Sequence, residues 1–189
     1  MGEINRIVYR ELLDGDYRKI DAASNNDPEA GGGARDFRFN REAFDGMVAE
    51  MLPERREARR EGDGLLYVGE VENEPALNNE LVWEPTYPSR SAEKRFRRIH
   101  ESVAFNRAPR LDGEEAVIAM IIQDGNGNLR IHFERESDLR GGSDGFSQRV
   151  SEHIVDCIDS TREERPRWAV KGYIDSTGDS FDTYCHLGS

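Results

Sequence analysis

The sequence is poor in long apolar runs, in cysteine and in lysine. It contains no run of about 18 apolar residues, and Met1 to Arg6 do not place an apolar segment after a basic one. We therefore expect neither a membrane span nor a secretion signal. Two cysteines, Cys157 and Cys185, are too few for a disulfide framework, so we expect reduced thiols in a cytoplasmic protein.

The scarcity of lysine bears on the protein's partner. Only three of the 26 basic residues are lysines, and the formal net charge is -12. An acidic protein repels phosphates, so this charge argues at first against nucleic acid. An acid-rich, lysine-poor composition resembles that of halophilic cytoplasmic proteins, however, and in molar salt the Debye length falls to about 3 Å. Because local contacts then decide binding, DNA stays a candidate partner.

Motifs for nucleotide binding and nucleophilic catalysis are missing from the sequence. No glycine-rich segment ends in Gly-Lys-Ser or Gly-Lys-Thr, none reads GxGxxG, and no Ser/His/Asp arrangement is recognisable. His153 and Cys157 are spaced as half of a zinc site, but Cys185 and His186 are adjacent and point to opposite faces of a strand. We expect no catalytic residue, no metal and no cofactor.

Hydrophobic periodicity predicts short strands with two or three helices between them. Helices are predicted over 41–52 and 146–158, and the segment 53–64 is predicted to be a charged loop or a frayed helical extension. Strands are predicted at 37–39, 65–68, 80–83, 116–122, 129–133, 168–174 and 181–184, with a hairpin turn at 124–127. We expect one domain over residues 1–189, of the α+β class and mostly antiparallel β, as a barrel or pseudobarrel with flanking helices.

Two segments carry residues suited to DNA contacts. The first, residues 24–35, combines two asparagines with three glycines and Arg35. Asparagine and arginine pair with adenine and guanine edges, and glycine lets a backbone approach a ligand closely. The second, residues 90–98, has five basic residues and one acidic residue. Each has a plain alternative: a surface turn for the first segment, and a solvated face paired with the acidic excess for the second.

Taken in order, these segments resemble the N-terminal effector domain of EcoRII-type restriction endonucleases. The similarity runs from Ser24-Asn25-Asn26-Asp27 to Arg38-Phe39, then through Ser91-Ala92-Glu93-Lys94-Arg95-Phe96-Arg97-Arg98 to the apolar hairpin, over roughly residues 17–140. It implies a DNA-binding pseudobarrel whose two arms grip the major groove of double-stranded DNA. Residues 168–189 have no counterpart in that domain.

By position, the resemblance assigns DNA contacts to residues in both arms. They are Ser24, Asn25, Asn26, Asp27 and Arg35 in the first arm, and Arg90, Ser91, Glu93, Lys94, Arg95 and Arg97 in the second. Glu93 would accept a hydrogen bond from cytosine N4, and an arginine would contact guanine. The resemblance also implies a non-catalytic, sequence-specific or modification-sensing domain of a restriction or antiviral defence system. Its nuclease would be on another domain or a partner chain.

Two other functions stay open. A metal-dependent nuclease needs clustered carboxylates and a lysine, and Asp63, Glu70 and Glu72 approach that pattern, although no lysine lies near them in the sequence. An acidic interaction protein or DNA mimic would use the arginine stretch only structurally. A DNA-binding experiment distinguishes the three functions. Binding without cleavage supports the recognition domain, cleavage supports the nuclease, and no interaction supports the interaction protein or DNA mimic.

Overall fold

The computed structural model describes residues 4–24, 36–57, 64–74, 80–85, 93–111, 115–142 and 146–187. Its strands are β1 (Ile4–Glu11), β2 (Phe37–Asn40), β3 (Glu54–Glu57), β4 (Gly64–Val68), β5 (Glu80–Pro85), β6 (Glu93–Phe96), β7 (Val117–Asp124), β8 (Leu129–Arg135), β9 (Lys171–Asp175) and β10 (Asp182–Cys185). Its α-helices are α1 (Asp14–Ser24), α2 (Arg41–Met51), α3 (Val103–Asn106), α4 (Glu136–Gly141) and α5 (Gln148–Glu164), and a 3-10 helix covers Ile99–Glu101.

The strands form two sheets, which confirms the α+β class with mostly antiparallel β. The first sheet has the order β10-β9-β1-β7-β8, and the second has the order β2-β6-β5-β4-β3. Neighbouring strands run antiparallel. Within the described residues neither sheet closes on itself, since each keeps two edge strands. The pseudobarrel stays a prediction.

The chain divides into two compact units. The terminal unit contains Met1–Leu13, Ala108–Gly127 and Ile131–Ser189, and the central unit contains Asp14–Arg107 and Asn128–Arg130. The sheet around β1 belongs to the terminal unit, except for the first two residues of β8, and the sheet around β6 belongs to the central unit. The prediction of a single DNA-binding domain over residues 1–189 stays a prediction. No helix in the described ranges is long and apolar enough to cross a membrane.

The core of the terminal unit lies between its sheet and α5. Val150, Ile154 and Ile158 recur at intervals of four residues, so one face of α5 is apolar. This face packs against inward-pointing strand residues that include Ile7 and Ile118, all of them buried. The predicted strand over 116–122 and the predicted helix over 146–158 are confirmed, although α5 continues to Glu164.

The predicted hairpin joins β7 to β8, which are neighbours in the sheet. The Gly127 amide donates to the Asp124 carbonyl at 3.0 Å, and the Asn126 amide donates to the Asp124 carboxylate at 2.9 Å. Gly127 has φ 86°, a conformation that glycine adopts without the clash a Cβ would cause. The Asp-Gly-Asn-Gly sequence therefore forms the tight turn that its composition predicts.

Three elements differ from the expectations. Helix α1 begins at Asp14, in a segment where the sequence analysis predicts no helix. Its acidic first turn suits a helix N-terminus, and Tyr17 and Ile20 are buried one turn apart. Strand β3 lies in the segment predicted to be a loop or frayed helix. All four of its residues are exposed, so its extended form depends on pairing with β4 and not on apolar alternation. Strand β6 takes up part of the expected second arm.

The expectation of two reduced thiols is wrong, because a disulfide joins Cys157 of α5 to Cys185 of β10. The two Cα atoms are 5.5 Å apart, across a sequence separation of 28 residues. Both sulfurs are therefore committed, and neither can complete the zinc half-site considered for His153. The described part of the chain contains no group of three or more His, Cys, Asp or Glu residues that could hold a metal.

A buried carboxylate fastens α4 to α5. Glu136 accepts hydrogen bonds from both terminal nitrogens of Arg162, at 2.8 and 2.7 Å, and from Arg140 Nε at 2.9 Å. The Ala116 amide, just before β7, donates to the same carboxylate at 3.1 Å. Burial raises the pKa of Glu136, but these donors outweigh it and lower the pKa to about 2. The carboxylate therefore stays ionised near neutral pH and holds three elements together.

Gly172 of β9 marks the closest backbone approach in the terminal unit. A Cβ at this position would overlap the Tyr184 carbonyl oxygen and the Tyr9 hydroxyl. Tyr9 is buried, and its hydroxyl lies 3.0 Å from His153 Nε2, so it has little room to move. We expect Gly172→Ala to lower the free energy of unfolding by about 1–3 kcal/mol, measured by urea denaturation.

The matched control for this substitution is Gly46→Ala in α2. A Cβ there meets no atom within 4 Å, so the same change should raise stability by about 0.5–1 kcal/mol through helix propensity. Equal stability of Gly172→Ala and the parent protein would contradict the close packing of β9 against Tyr9.

Candidate nucleic-acid interface

The basic stretch predicted as the second arm enters the central sheet. Residues 93–96 form β6 between β2 and β5, so this strand is paired on both sides. Phe96 and Ile99 are fully buried and anchor the stretch. Glu93 opens the strand opposite Asn40. Arg90 and Ser91 lie outside the described residues.

Lys94 points into the core of the central unit. It shares a face of the sheet with Phe96, because residues two apart on a strand point the same way. Its side chain is 0% exposed, and Nζ lies 2.9 Å from the Tyr67 hydroxyl, 2.9 Å from Glu84 Oε2 and 2.8 Å from Asp45 Oδ1. The Tyr67 hydroxyl in turn donates to Glu84 at 2.9 Å.

These acceptors decide the ionisation of Lys94. Burial lowers the pKa of its ammonium group, but the hydrogen bonds to Asp45, Glu84 and Tyr67 outweigh burial and raise the pKa above its ordinary value. The side chain is therefore charged, and its charge is matched inside the unit. The structure gives Lys94 an internal role, and the DNA contact assigned to it stays a prediction.

Arg95 points away from Lys94 and is also buried, with 2% of its surface exposed. Its Cα partner on β2 is Arg38, which is exposed. Residues opposite each other in an antiparallel pair share a face, so Arg38 lies on the same face as Arg95 and is exposed to solvent. The sequence analysis did not single out Arg38, although the alternation of Phe37-Arg38-Phe39 marks it as the outward residue.

The remaining described arginines of the stretch have carboxylate partners. One terminal nitrogen of Arg97 lies 2.8 Å from Glu80 Oε2, with 27% of the Arg97 side chain exposed. Glu80 also pairs with Arg56, and hydrogen bonds from the two arginines outweigh burial and lower the pKa of Glu80. Arg98 pairs with Glu101. These contacts are the ones that pairing with the acidic excess predicts.

The fold nevertheless attaches both predicted arms to the same pair of strands, β2 and β6. Asp36, the first described residue after segment 25–35, accepts a hydrogen bond from the Arg98 amide at 3.1 Å. Because β2 and β6 are antiparallel neighbours, segment 25–35 joins this pair at one end and segment 86–92 joins it at the other. A strand of four residues places those ends about 10 Å apart, comparable to the major-groove width of about 12 Å.

Buried aromatic rings fix the β2 and β6 pair. The ring centres of Phe37 and Phe105 are 4.8 Å apart, and those of Phe96 and Phe105 are 6.0 Å apart. Phe39 packs against Phe44 of α2 at 5.0 Å. The β2 and β6 pair, from which segments 25–35 and 86–92 extend, is therefore well packed.

Most of the first arm lies outside the residues that the structure describes. Ser24 ends α1, and the structure describes only its backbone. Asn25, Asn26, Asp27 and Arg35 lie outside the described residues. The DNA contacts assigned to these residues therefore stay predictions.

The carboxylates considered for a nuclease do not form a cluster in the described residues. Glu70 and Glu72 are exposed in the turn after β4, and Asp63 lies outside the described residues. Glu74 is buried, but its oxygens accept from the Val103 amide at 2.8 Å and the Ala104 amide at 2.6 Å, so it caps α3. The nuclease alternative gains no support from these positions.

The C-terminal segment without a counterpart carries a row of aromatic rings in the terminal unit. Tyr173 of β9 and Tyr184 of β10 are Cα partners, with ring centres 5.3 Å apart and planes 17° apart. His186 Nδ1 lies 2.9 Å from the Tyr184 hydroxyl, and the His186 ring stacks on Trp168 at 5.9 Å. The sequence analysis missed this row because only the pairing of β9 with β10 aligns its members.

No protein-family model, curated protein or solved structure matches the chain. The resemblance to the EcoRII-type effector domain therefore stays a prediction. The class of protein supported by the structure is an α+β protein of two units, one of which joins a basic stretch to a glycine-rich segment.

Proposed function

We propose that the central unit binds double-stranded DNA in the major groove, with segments 25–35 and 86–92 as two arms rooted in the β2 and β6 pair. The observation that carries this proposal is the hydrogen bond from the Arg98 amide to Asp36, across 62 residues of sequence. It puts the end of the basic stretch beside Asp36, the residue that follows segment 25–35, so both predicted arms adjoin the same pair of strands at one edge of the sheet.

The described arginines at this edge suit phosphate contacts. Arg38 is exposed, and Arg97 exchanges its bond to Glu80 for a phosphate at small cost, because a partly exposed ion pair contributes only about 0–1 kcal/mol. The resemblance assigns DNA contacts to residues on both segments, and of these we propose Arg35 and Arg90 as the base-reading residues. Lys94 and Arg95 are buried on opposite faces of β6 and stabilise the strand.

The wider setting of this proposal follows the resemblance. The protein serves as the non-catalytic recognition domain of a restriction or defence system in a halophilic cytoplasm, with the fold of a DNA-binding pseudobarrel. Its nuclease is another domain or a partner chain, and it reads either a base sequence or a DNA modification.

Fluorescence anisotropy with a labelled, randomised duplex tests the proposal over a range of salt concentrations, with and without magnesium. Arg35→Ala and Arg90→Ala should each weaken binding to the preferred duplex by about 1–3 kcal/mol, because each removes a base contact. Arg97→Ala should weaken all sequences alike and reduce the salt slope by about one unit.

The matched control is Arg55→Ala, an exposed arginine on β3 at the opposite edge of the same sheet. It should leave affinity unchanged, and circular dichroism should show all four variants folded. Parent-like binding by a combined Arg35→Ala, Arg90→Ala and Arg97→Ala variant would rule out the arms. Magnesium-dependent cleavage of the duplex would favour the nuclease alternative instead.

A further inference from the structure

Trp168 is the most exposed large hydrophobic side chain in the described residues, at 44%. A single exposed hydrophobic residue is common on protein surfaces and does not by itself indicate a binding site. The Trp168 ring, however, is the first of a row of contacting rings that continues with His186, Tyr184 and Tyr173. Ring centres along this row are 5.9, 6.1 and 5.3 Å apart. The row therefore presents the exposed Trp168 and two half-buried tyrosines, with the buried His186 between them.

Positive charge gathers at the Trp168 end of the row. The Arg165 guanidinium lies 5.5 Å from the centre of the Trp168 ring, and Arg167 is exposed beside it. Lys171 is two residues before Tyr173 on β9 and so shares its face, and Arg10 is the Cα partner of Lys171 on β1. Arg165 and its exposed neighbour Arg167 thus flank the indole, and Lys171 and Arg10 lie at the same end of the row, in a protein whose net charge is -12.

The carboxylates on this face lie at the other end. Asp175 and Asp182 are Cα partners beyond the two tyrosines, and Asp175 is bonded to Arg6 Nε at 3.2 Å. His186 adds no positive charge near neutral pH, because burial and the nearby Lys171 lower its pKa. The row thus runs from a cationic end to an acidic end, which gives a bound polyanion one preferred position.

We propose that this row binds single-stranded DNA, with unpaired bases stacked on Trp168 and the tyrosines and phosphates held by Arg165 and Lys171. Aromatic faces beside cations are how proteins hold unpaired bases without reading their edges. A duplex hides its base faces and would use only the charges. The proposal is independent of duplex binding by the central unit.

Tryptophan fluorescence tests this site. The chain has two tryptophans, so a Trp83→Phe background leaves Trp168 as the only reporter. A mixed-pyrimidine DNA oligonucleotide should quench this fluorescence, because a stacked base contacts the indole. Trp168→Ala should weaken binding of a labelled oligonucleotide about 10-fold or more, whereas Trp168→Phe should keep most of the affinity. Lys171→Ala should reduce the salt slope by about one unit.

Leu13→Ala, which truncates another exposed hydrophobic residue, should bind like the parent protein. The Arg35→Ala and Arg90→Ala variants should also keep single-strand affinity, so this proposal and the duplex proposal fail separately. Equal quenching of Trp168 fluorescence by duplex, tighter binding of RNA of the same sequence, or equal competition by inorganic polyphosphate would each overturn the proposal. If the Trp83→Phe background does not fold, the Trp168 variants are made in the parent protein, and the anisotropy of the labelled oligonucleotide then shows whether Trp168→Ala weakens binding.

Discussion

Replacing Lys94 with methionine should lower the free energy of unfolding by about 3–5 kcal/mol. Methionine fills a similar volume, so the loss comes from the charge and not from a cavity. Without the ammonium group, Glu84 loses its ion-pair partner Lys94 in a site where its side chain is 6% exposed, and the Tyr67 hydroxyl still donates to it. Urea denaturation followed by circular dichroism measures the change.

Two further variants separate the buried charge from general effects of the substitution. Lys171→Met changes a half-exposed lysine on β9 and should alter stability by less than about 0.5 kcal/mol. Adding Glu84→Leu to Lys94→Met should recover part of the lost stability, because it removes the charge left without Lys94. A loss below about 1 kcal/mol in Lys94→Met would mean that the network does not hold β6 in the sheet.

The Lys94 network also shows where interpretation of the sequence stops. Strand β6 reads Glu-Lys-Arg-Phe, with one apolar residue in four, so no hydrophobic pattern predicts a central strand. Its pairing partners and acceptors come from elsewhere: Tyr67 is 27 residues away and Glu84 is 10 residues away. A basic stretch of this kind looks like a projecting arm until its partners are known. Hence local sequence does not reveal that residues 93–96 form a central strand.

Elements whose burial is encoded locally were predicted well. The apolar run of β7, the Asp-Gly-Asn-Gly turn and the periodic face of α5 each depend on residues within one segment, and the structure contains all three. Strand β3 is extended only because it pairs with β4. The aromatic row likewise exists only because β10 pairs with β9, which brings Tyr184 beside Tyr173. Long-range pairing is the information that single-sequence patterns lack.

For the candidate DNA site, sequence and structure contribute different parts. The sequence predicts the two segments. The structure adds the hydrogen bond from the Arg98 amide, just after β6, to Asp36, just after segment 25–35. The structure also divides the basic stretch by exposure: Lys94 and Arg95 are buried on opposite faces of β6, whereas Arg97 is partly exposed. Alanine variants at the two buried positions would therefore report on folding, which is why the binding test uses Arg35, Arg90 and Arg97.

Reducing the Cys157 to Cys185 bond should lower the free energy of unfolding by about 3–4 kcal/mol, because it releases the entropy constraint on a loop of 28 residues in the unfolded chain. Urea denaturation with and without dithiothreitol measures this loss. A Cys157→Ser, Cys185→Ser variant should show the lowered stability in both conditions, which separates the bond from other effects of the reductant. An unchanged midpoint on reduction of the parent protein would contradict the structural role of the bond. Since Cys185 lies between Tyr184 and His186, reduction should also weaken single-strand binding while leaving duplex binding intact.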